Sequence, residues 1–485
     1  MRCSLTSVGN QESRVAGDKD NAQHRPSIVS RFRLSPIRTF FLLHCTLLAM
    51  GVGAEAAGQD LWNRDKLTGT WGGLRTTLED KGIEVEATYT GESLGVPSGG
   101  LRQGTTYEGL LDVAVEADLE ALAGWTGGKV QVRAFQIHDG GRNAAELVGS
   151  LADPSSIDGR PSTRLYTAWL QQDFGDSGSL RVGQLAADDE FFVSTTAGNL
   201  INGTFGWPVL LSANLPSSGP AYPLAAPGLR LRIDPSDTVS VIAAVFSGDP
   251  AGKNCDTEPQ ACNDSGTTFS RSGGAFWIGE AQYQMNQGKD AEGLAAAYKI
   301  GAWYHDGAFA DQRFGRDPSG AVVSLAATPA PDPLHHRGDW GVYGIVDQML
   351  WRNREQSASV FLRGGISPSD RNLVAWYVDG GIGFNGIVPT RPDDTLTFGV
   401  AYSSISGDAS DLDRDMAATG SAAHPIRSAE VVFELSYIVK IAPWWTIQPD
   451  VQYIINPGGN APDPSDPTRA VENAIVIGAR MTFDL

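Results

Sequence analysis

Aromatic and charged side chains of the kinds that bind a flat, hydroxylated ring are spread along this chain. Aromatic faces pack against the C–H side of such a ring, while arginine and carboxylate groups bond the hydroxyls at its edge. Arginine suits this contact because its planar fork donates to two oxygens at once. The residues that we expect to bind a solute of this kind are Trp207, Phe205, Arg133, Arg164, Glu108 and Asp112.

Catalytic chemistry is not expected from the same residue types. Paired carboxylates, which glycoside cleavage requires, occur throughout the sequence, so no particular pair is informative. A hydrolase with a Ser or Asp nucleophile needs a positioned histidine. The adjacent pair His335-His336 has the ligand type for a metal, but a solvated loop pair is the more common arrangement. We predict no enzyme, no cofactor and no metal site.

The charge of the chain excludes one class of partner. Among 485 residues, 37 are Lys or Arg and 56 are Asp or Glu, which gives a net charge of −19. Nucleic-acid binding requires a basic face, so we expect no nucleic-acid partner. A hydrophobic fraction of 41% and an aromatic fraction of 9% also argue against a disordered chain.

Residues 1–56 have the pattern of an export signal. A basic flank that includes Arg31, Arg33 and Arg38 precedes an apolar stretch over 39–53 and a small-residue site at 54–56. The apolar stretch of about 15 residues is short for a membrane-spanning helix, which needs roughly 20. We expect cleavage before Ala57, although a misassigned start codon would also explain the long segment ahead of the apolar stretch.

Removal of this segment changes the charge and the cysteine content. It takes away 7 basic and 4 acidic residues, so the mature chain has 30 basic and 52 acidic residues and a net charge of −22. Cys255 and Cys262 remain, close together in a polar segment of an exported chain. We predict a disulfide between them, with a metal site as the less favoured alternative.

The dominant hydrophobic period of the mature chain is two. The odd positions of 475–485 are apolar, and the even positions include Arg480, Thr482 and Asp484. The odd positions of 429–441 are likewise apolar, with glutamates at 430 and 434 between them. Such runs exceed the usual globular strand of about 5–6 residues, and they match the strands of a membrane barrel with a polar lumen.

We therefore predict an all-β fold. It is a transmembrane antiparallel β-barrel of about sixteen strands, with a short N-terminal helix and inward-folding loops. A soluble β-sandwich is the alternative, but its strands are shorter. The predicted organisation is a signal peptide at 1–56, a periplasmic segment with a short helix at 57–82, and the barrel at 83–485. Long connections are expected at 188–227, 249–273, 306–339 and 407–427.

The chain resembles the OprB-type carbohydrate-selective porins along nearly its whole mature length. Several dispersed runs carry the resemblance: Thr70-Trp71-Gly72-Gly73, Pro161-Ser162-Thr163-Arg164, Arg181-Val182-Gly183-Gln184, Phe205-Gly206-Trp207-Pro208, Asp347-Gln348-Met349-Leu350-Trp351, Pro368-Ser369-Asp370-Arg371 and Pro443-Trp444-Trp445-Thr446. The resemblance implies a sixteen-stranded outer-membrane barrel that passes glucose-like sugars without energy input. Many outer-membrane proteins end on Phe, whereas here Asp484 and Leu485 follow Phe483.

Within such a barrel, segment 188–227 is the best candidate for a loop that enters the lumen. It contains Phe191, Phe192, Phe205, Trp207 and Tyr222, which is too apolar for a free loop in water. These rings either form a constriction that stacks on sugars or pack the loop against the wall. For each charged candidate, the alternative role is ordinary solvated lining of the lumen.

The expected partners follow from this interpretation. They are small sugars, outer-membrane lipid and lipopolysaccharide, and the barrel-assembly machinery. Three other functions stay open: a general diffusion porin without a sugar site, a plugged barrel with a structural or adhesive role, and a barrel hydrolase. Trp71, Trp444, Trp445 and Tyr453 are expected to anchor the barrel at the membrane interface.

Overall fold

A computed structural model describes residues 61–253, 255–288, 291–420 and 423–485. The predicted signal peptide at 1–56 lies outside the described residues. No helix of the described ranges is both long enough and apolar enough to cross a membrane.

Sixteen antiparallel strands form one closed barrel, as the sequence predicts. Each strand pairs with its neighbours in the chain, and the last strand pairs with the first to close the ring. The strands are β1 Ile83–Gly100, β2 Gly104–Asp118, β3 Gly128–Asp139, β4 Ser162–Asp173, β5 Gly178–Leu185, β6 Ala226–Ser236, β7 Val239–Ser247, β8 Ala275–Met285, β9 Ala296–Arg316, β10 Asp332–Arg352, β11 Ser357–Ile366, β12 Val374–Asn385, β13 Thr395–Ile405, β14 Ala429–Ala442, β15 Trp445–Ile455 and β16 Glu472–Asp484.

One short helix precedes β1, and the other helices lie in the connections between the strands. They are α1 Leu74–Glu79, α2 Leu119–Ala123, α3 Ala144–Val148, α4 Val209–Ser212, α5 Pro259–Cys262, α6 Gly407–Thr419 and α7 Pro457–Asn460. Three further short strands, Val322–Ser324, Pro462–Asp463 and Asp466–Ala470, lie in loops.

The alternation of side chains assigns the two faces of the barrel. In β16, Ile477 is 49% exposed on the outer face, whereas the neighbouring Val476 is fully buried on the inner face. In β14, Leu435 is 47% exposed and Glu434 is 1% exposed. The outer face is therefore the apolar one, which agrees with a barrel surrounded by lipid.

The connections differ in length between the two rims. The rim where β1 begins and β16 ends has mostly short turns, such as 174–177, 237–238 and 443–444. The opposite rim has longer connections, at 140–161, 186–225, 248–274 and 406–428. The predicted long loop at 306–339 is wrong in extent, because β9 continues to Arg316 and β10 begins at Asp332. These two strands keep pairing across register shifts, which the Gly- and Asp-rich sequence conceals.

The segment ahead of β1 packs against the end of the barrel. Arg75 of α1 donates to the backbone carbonyls of Gly69 and Leu485, both at 2.8 Å, and its guanidinium lies over the Trp71 ring. Trp444, predicted to be an interfacial anchor, is 6% exposed because this segment covers it. Its indole N–H donates to the carbonyl of Leu61 at 2.8 Å.

The main hydrophobic cluster lies inside the barrel. Its members include Phe192, Phe205 and Leu210 from the connection between β5 and β6, together with Tyr343 and Phe361 from the wall. Phe192 stacks on Tyr343 with ring centroids 4.1 Å apart. The predicted inward loop therefore enters the lumen and packs against the wall.

Candidate functional site

Carboxylates of the barrel wall hold the inward loop, residues 186–225, by its backbone. Asp347 of β10 accepts from the amide of Thr196 at 3.0 Å and from the hydroxyls of Ser194 and Thr196 at 2.6 Å. Glu280 of β8 accepts from the amide of Phe192, and Glu434 of β14 accepts from the amide of Asn202, both at 3.0 Å. A buried amide without a partner costs about 1–3 kcal/mol, so these carboxylates stabilise an irregular loop inside the barrel.

A buried arginine of the wall donates hydrogen bonds to backbone carbonyls of the same loop. Arg363 of β11 is fully buried and donates to the carbonyls of Phe192 and Thr204 at 2.9 and 3.0 Å. Its charge is balanced by an ion pair with Asp379 of β12. Asp379 also accepts from the hydroxyl of Tyr377 at 2.7 Å. The loop is thus held through both its amides and its carbonyls, and at Phe192 the wall satisfies both.

A second connection, residues 140–161, also folds inward. Glu430 of β14 accepts from the amides of Leu151 and Ala152 at 2.8 and 2.9 Å. Leu147 and Val148 of α3 are completely buried. This inward fold was not predicted from the sequence. Leu147, Val148 and Ile157 are apolar side chains in a polar connection, which is the feature that predicted the inward position of residues 186–225.

A cavity of about 310 Å³ lies between the two inward loops and the connection from β7 to β8. Its walls come from residues of 151–158, 203–224 and 258–260, together with Asp188. Trp207 and Tyr222 supply aromatic surface, and their positions are fixed by polar contacts at their edges. The indole N–H of Trp207 donates to the carbonyl of Ser218 at 3.0 Å, and the Tyr222 hydroxyl donates to the carbonyl of Ile157 at 2.7 Å.

The third wall of the cavity is the segment closed by the disulfide. Cys255 and Cys262 are bonded, with Cα atoms 5.8 Å apart. Within this ring, the side chain of Gln260 accepts from the amide of Arg160 at 2.6 Å. The disulfide therefore restrains the residues that bound the cavity on this side.

An ion-paired arginine lies on the wall close to the cavity. Arg133 of β3 pairs with Asp112 of β2 at 2.6 Å and with Asp189 of the inward loop at 3.5 Å. Its guanidinium also lies 5.5 Å from the ring centroid of Tyr166. The hydroxyl of Tyr166 donates to Asp188, which lines the cavity, at 3.1 Å. Arg133 and Asp112 are thus linked to the cavity through the inward loop.

The other predicted contacts occupy structural positions. Phe205 is 1% exposed and packs edge-on against Phe361, with centroids 6.1 Å apart. Arg164, also 1% exposed, donates to the carbonyl of Pro223 at 3.1 Å. Glu108 is 3% exposed and accepts from the amide of Ala144 at 2.7 Å, at the start of α3. Of the six residues predicted to contact solute, Trp207 is the one found among the described residues that line the cavity.

Four carboxylates that line the cavity were not among the predicted site residues. They are Asp153, Asp158, Asp188 and Glu258. All four lie in loops without periodic structure, so no pattern in the sequence places them together. The four carboxylates come together because three separate connections fold toward one point.

One pentapeptide matches the Gly-x-Ser-x-Gly pattern of serine hydrolases. Ser93 is at its centre, within Gly91-Glu92-Ser93-Leu94-Gly95. In the structure Ser93 lies in the interior of β1, paired with Tyr107 and Ala479 of the adjacent strands. The pattern carries its chemistry at a strand-to-helix turn, so its occurrence here does not indicate a nucleophile.

Comparison with known proteins identifies the family. Residues 102–485 match the family model described as "Carbohydrate-selective porin, OprB family". The chain belongs to this family. It is a carbohydrate-selective porin of the outer membrane, a channel formed by the barrel described above.

Individual relatives of this porin cover nearly its whole length. Porin B of Pseudomonas aeruginosa is 25% identical over 90% of this chain and 94% of its own. The putative porin QuiX of Acinetobacter baylyi is 22% identical over 92% of this chain and 100% of its own. The high-pH structure of Pseudomonas putida OprB has a TM-score of 0.76 at 22% identity and covers 88% of this porin and 100% of that chain. This last likeness concerns the fold.

Proposed function

We propose that this porin allows glucose-like monosaccharides to diffuse passively into the periplasm, and that the cavity beside Trp207 is where they are selected. The observation that carries the proposal is the inward loop, which brings an aromatic ring and several polar groups to one cavity inside the barrel. A volume of about 310 Å³ lies at the lower end of the range for small-ligand pockets, about 300–1,000 Å³. Proteins that bind sugars combine such a ring with polar groups at its edge.

The role proposed for each side chain follows from its surroundings. The half-buried Trp207 packs against the C–H face of the sugar while its N–H stays bonded to Ser218. Arg133 and Asp112, paired on the wall, form a polar site near the path of the solute. Phe205, Arg164 and Glu108 act indirectly, because they hold the loops that shape the cavity. Binding has to remain weak, since a solute that binds tightly does not leave.

Charge contributes to ion preference more than to sugar selection. A mature chain with a net charge of −22, counted from the 30 basic and 52 acidic residues after residue 56, makes the lumen attractive to cations. This field is screened beyond a Debye length of about 8 Å at physiological salt. A neutral sugar feels little of the field, so its selection depends on short-range contacts.

The proposal also includes the surroundings of the barrel. The apolar outer face contacts lipid and lipopolysaccharide, the barrel-assembly machinery inserts the chain, and residues 1–56 direct its export as a signal peptide. No catalytic step is part of the proposed function.

Planar-bilayer recording tests this proposal. Ion current through the purified porin is expected to fall as glucose is added, because an occupied cavity obstructs ions. Trp207→Ala should raise the glucose concentration needed for half-block by about tenfold, which corresponds to about 1.4 kcal/mol. Trp277→Ala is the matched control, because Trp277 is 51% exposed on the outer face.

Arg133→Ala should weaken the glucose block and also shift the ion preference further toward cations. A current that glucose does not reduce at any concentration would show a general diffusion porin without a sugar site. A barrel without measurable ion current would show the plugged alternative.

A further inference from the structure

The cavity beside Trp207 is lined by acids. Asp153, Asp158, Asp188 and Glu258 contribute to its walls, and the described lining includes no Lys, Arg or His. Carboxylates accept hydrogen bonds from the hydroxyls of a neutral sugar, but four of them without a cationic side chain in the described lining also give the cavity a negative charge when they are ionised. The charge of the cavity therefore requires a separate explanation.

Two of the four carboxylates have structural partners. Asp188 accepts from the Tyr166 hydroxyl at 3.1 Å and from the amide of Tyr222 at 2.8 Å. Glu258 caps α5 by accepting from the amides of Gln260 and Ala261 at 2.8 and 2.9 Å. These two residues are accounted for by the fold.

Asp153 and Asp158 are not accounted for in this way. The carboxylate of Asp153 is exposed to the cavity and accepts no hydrogen bond from the described residues. One oxygen of Asp158 accepts from the amide group of Asn143 at 2.8 Å, but its other oxygen is buried without a partner in the described chain. Asp153 thus offers free acceptor oxygens to the cavity, and Asp158 has one buried oxygen that no donor of the described chain satisfies.

Two more acids lie close to Asp153 and Asp158. Glu92 and Glu108 are 1% and 3% exposed, and one oxygen of each lacks a hydrogen-bond partner within the described ranges. Desolvation and the nearby Asp153 carboxylate together raise the pKa of Asp158 to about 8. Desolvation and the Glu108 carboxylate together raise the pKa of Asp153 to about 7. Such shifts agree with the absence of any ion pair to Asp153 or Asp158 among the described residues.

The arginines near the cavity have partners other than Asp153 and Asp158. Arg480 is paired with Glu92 and donates to the hydroxyl of Ser156 at 2.7 Å. Arg160 pairs with Asp264 at 3.4 Å and with Glu258 at 3.9 Å, and Arg164 donates to the carbonyl of Pro223 at 3.1 Å. When Asp153 and Asp158 are ionised, their charge is therefore left for a mobile cation to neutralise.

We propose that this porin prefers sugars that carry an ammonium group, that is amino sugars, over neutral sugars and over sugar acids. An ammonium group has three donors and no acceptor, so it matches carboxylate oxygens that lack donors. The ring of the same molecule packs on Trp207, and a sugar acid is repelled. No group of three or more His, Cys, Asp or Glu in the described chain is arranged to hold a metal ion, which favours an organic cation. The inference rests on the proposed function, since it names the class of sugar that the cavity selects.

Current block by four related sugars in planar bilayers tests the inference. Glucose, glucosamine, N-acetylglucosamine and glucuronate share one ring and differ in charge at about pH 7. We expect glucosamine to block at a concentration about tenfold lower than glucose, because the hydrogen bonds from its ammonium group to a carboxylate are charge-assisted and desolvation of the two groups offsets only part of their strength. N-Acetylglucosamine should behave like glucose, and glucuronate should block less than glucose.

Two variants assign the effect to the cavity. Asp153→Asn should remove most of the advantage of glucosamine, because that carboxylate has no structural bond to lose. Asp158→Asn is the second variant and should act in the same direction. Asp176→Asn changes the net charge equally at an exposed turn of the opposite rim and should leave the advantage unchanged.

The outcomes separate the two proposals. If glucose blocks and glucosamine blocks no better, the preference for amino sugars is overturned while the sugar-porin proposal stands. Equal block by glucosamine and N-acetylglucosamine would also overturn it, because charge would not be the cause. If Asp153→Asn and Asp158→Asn both keep the full advantage of glucosamine over glucose, the ammonium group binds elsewhere and its assignment to this cavity is overturned. Should none of the four sugars block, the proposed function itself fails.

Discussion

Asp347 provides a direct test of how the inward loop is held. In Asp347→Ala the loop loses three hydrogen bonds to a carboxylate, one from the amide of Thr196 and two from the hydroxyls of Ser194 and Thr196. A hydrogen bond to a charged group contributes about 1.5–3 kcal/mol, but the three are not additive and the released groups regain water. We therefore expect the seated loop to lose about 2–4 kcal/mol relative to the released loop.

This loss translates into a measurable change in channel behaviour. Since each 1.4 kcal/mol is a factor of ten, the population of the released loop should rise between about 30-fold and 700-fold. Single-channel recordings should then show frequent transitions to a higher-conductance level that is rare in the unaltered porin. The glucose block should weaken in parallel, because the same loop carries Trp207.

Asp317→Ala is the matched control for this experiment. Asp317 also accepts several hydrogen bonds, from Ser319 and Ala321, but these stay within its own exposed turn between β9 and β10. Its recordings should match those of the unaltered porin. If Asp347→Ala gives the same current noise and the same glucose block as the control, wall carboxylates do not hold the loop, and the reasoning is refuted.

Three other predictions concern the lipid face, the disulfide and pH. Ile477→Arg should destabilise the assembled barrel by about 2–4 kcal/mol if residue 477 faces the bilayer centre. The yield of assembled barrel should therefore fall relative to Ile477→Leu, and equal yields would contradict the assigned faces. Without reductant, Cys255 and Cys262 should resist alkylation, as detected by mass spectrometry. Replacing both by Ser should lower the free energy of unfolding by no more than about 3 kcal/mol, because the ring that the disulfide closes is small. Asp153 and Asp158 have raised pKa values, about 7 and 8, so they gain charge as pH rises, and cation preference measured by reversal potential should increase between about pH 6 and 9. The folded state holds these two protons to a higher pH than the unfolded chain does, so their contribution to the free energy of unfolding should decline as pH rises from about 4 to about 8. A reversal potential independent of pH would argue against these acids lying on the ion path.

The sequence by itself determined the architecture. Apolar positions at a period of two in runs of ten or more residues, together with the predicted export signal, indicated a lipid-facing barrel, because each strand has to show one face to lipid and the other to a polar interior. The apolar composition of 188–227 also identified the inward loop, since five aromatic rings in a connection need a surface to cover them. The outer position of Ile477 and the inner position of Glu434 follow from the same alternation.

The tertiary structure alone decided which inward residues meet the solute. Alternation places Glu108, Arg164 and Asp347 on the lumen side, but it does not show that loops folded into the lumen cover them. An inward loop has unpaired amides and carbonyls, and the wall supplies the charged groups that satisfy them. Residues that the sequence presents as pore lining therefore hold loops in place, while Asp153 and Asp158, in connections without a period, come to line the cavity. The contacts that decide this join parts of the chain up to hundreds of residues apart, which no local pattern encodes.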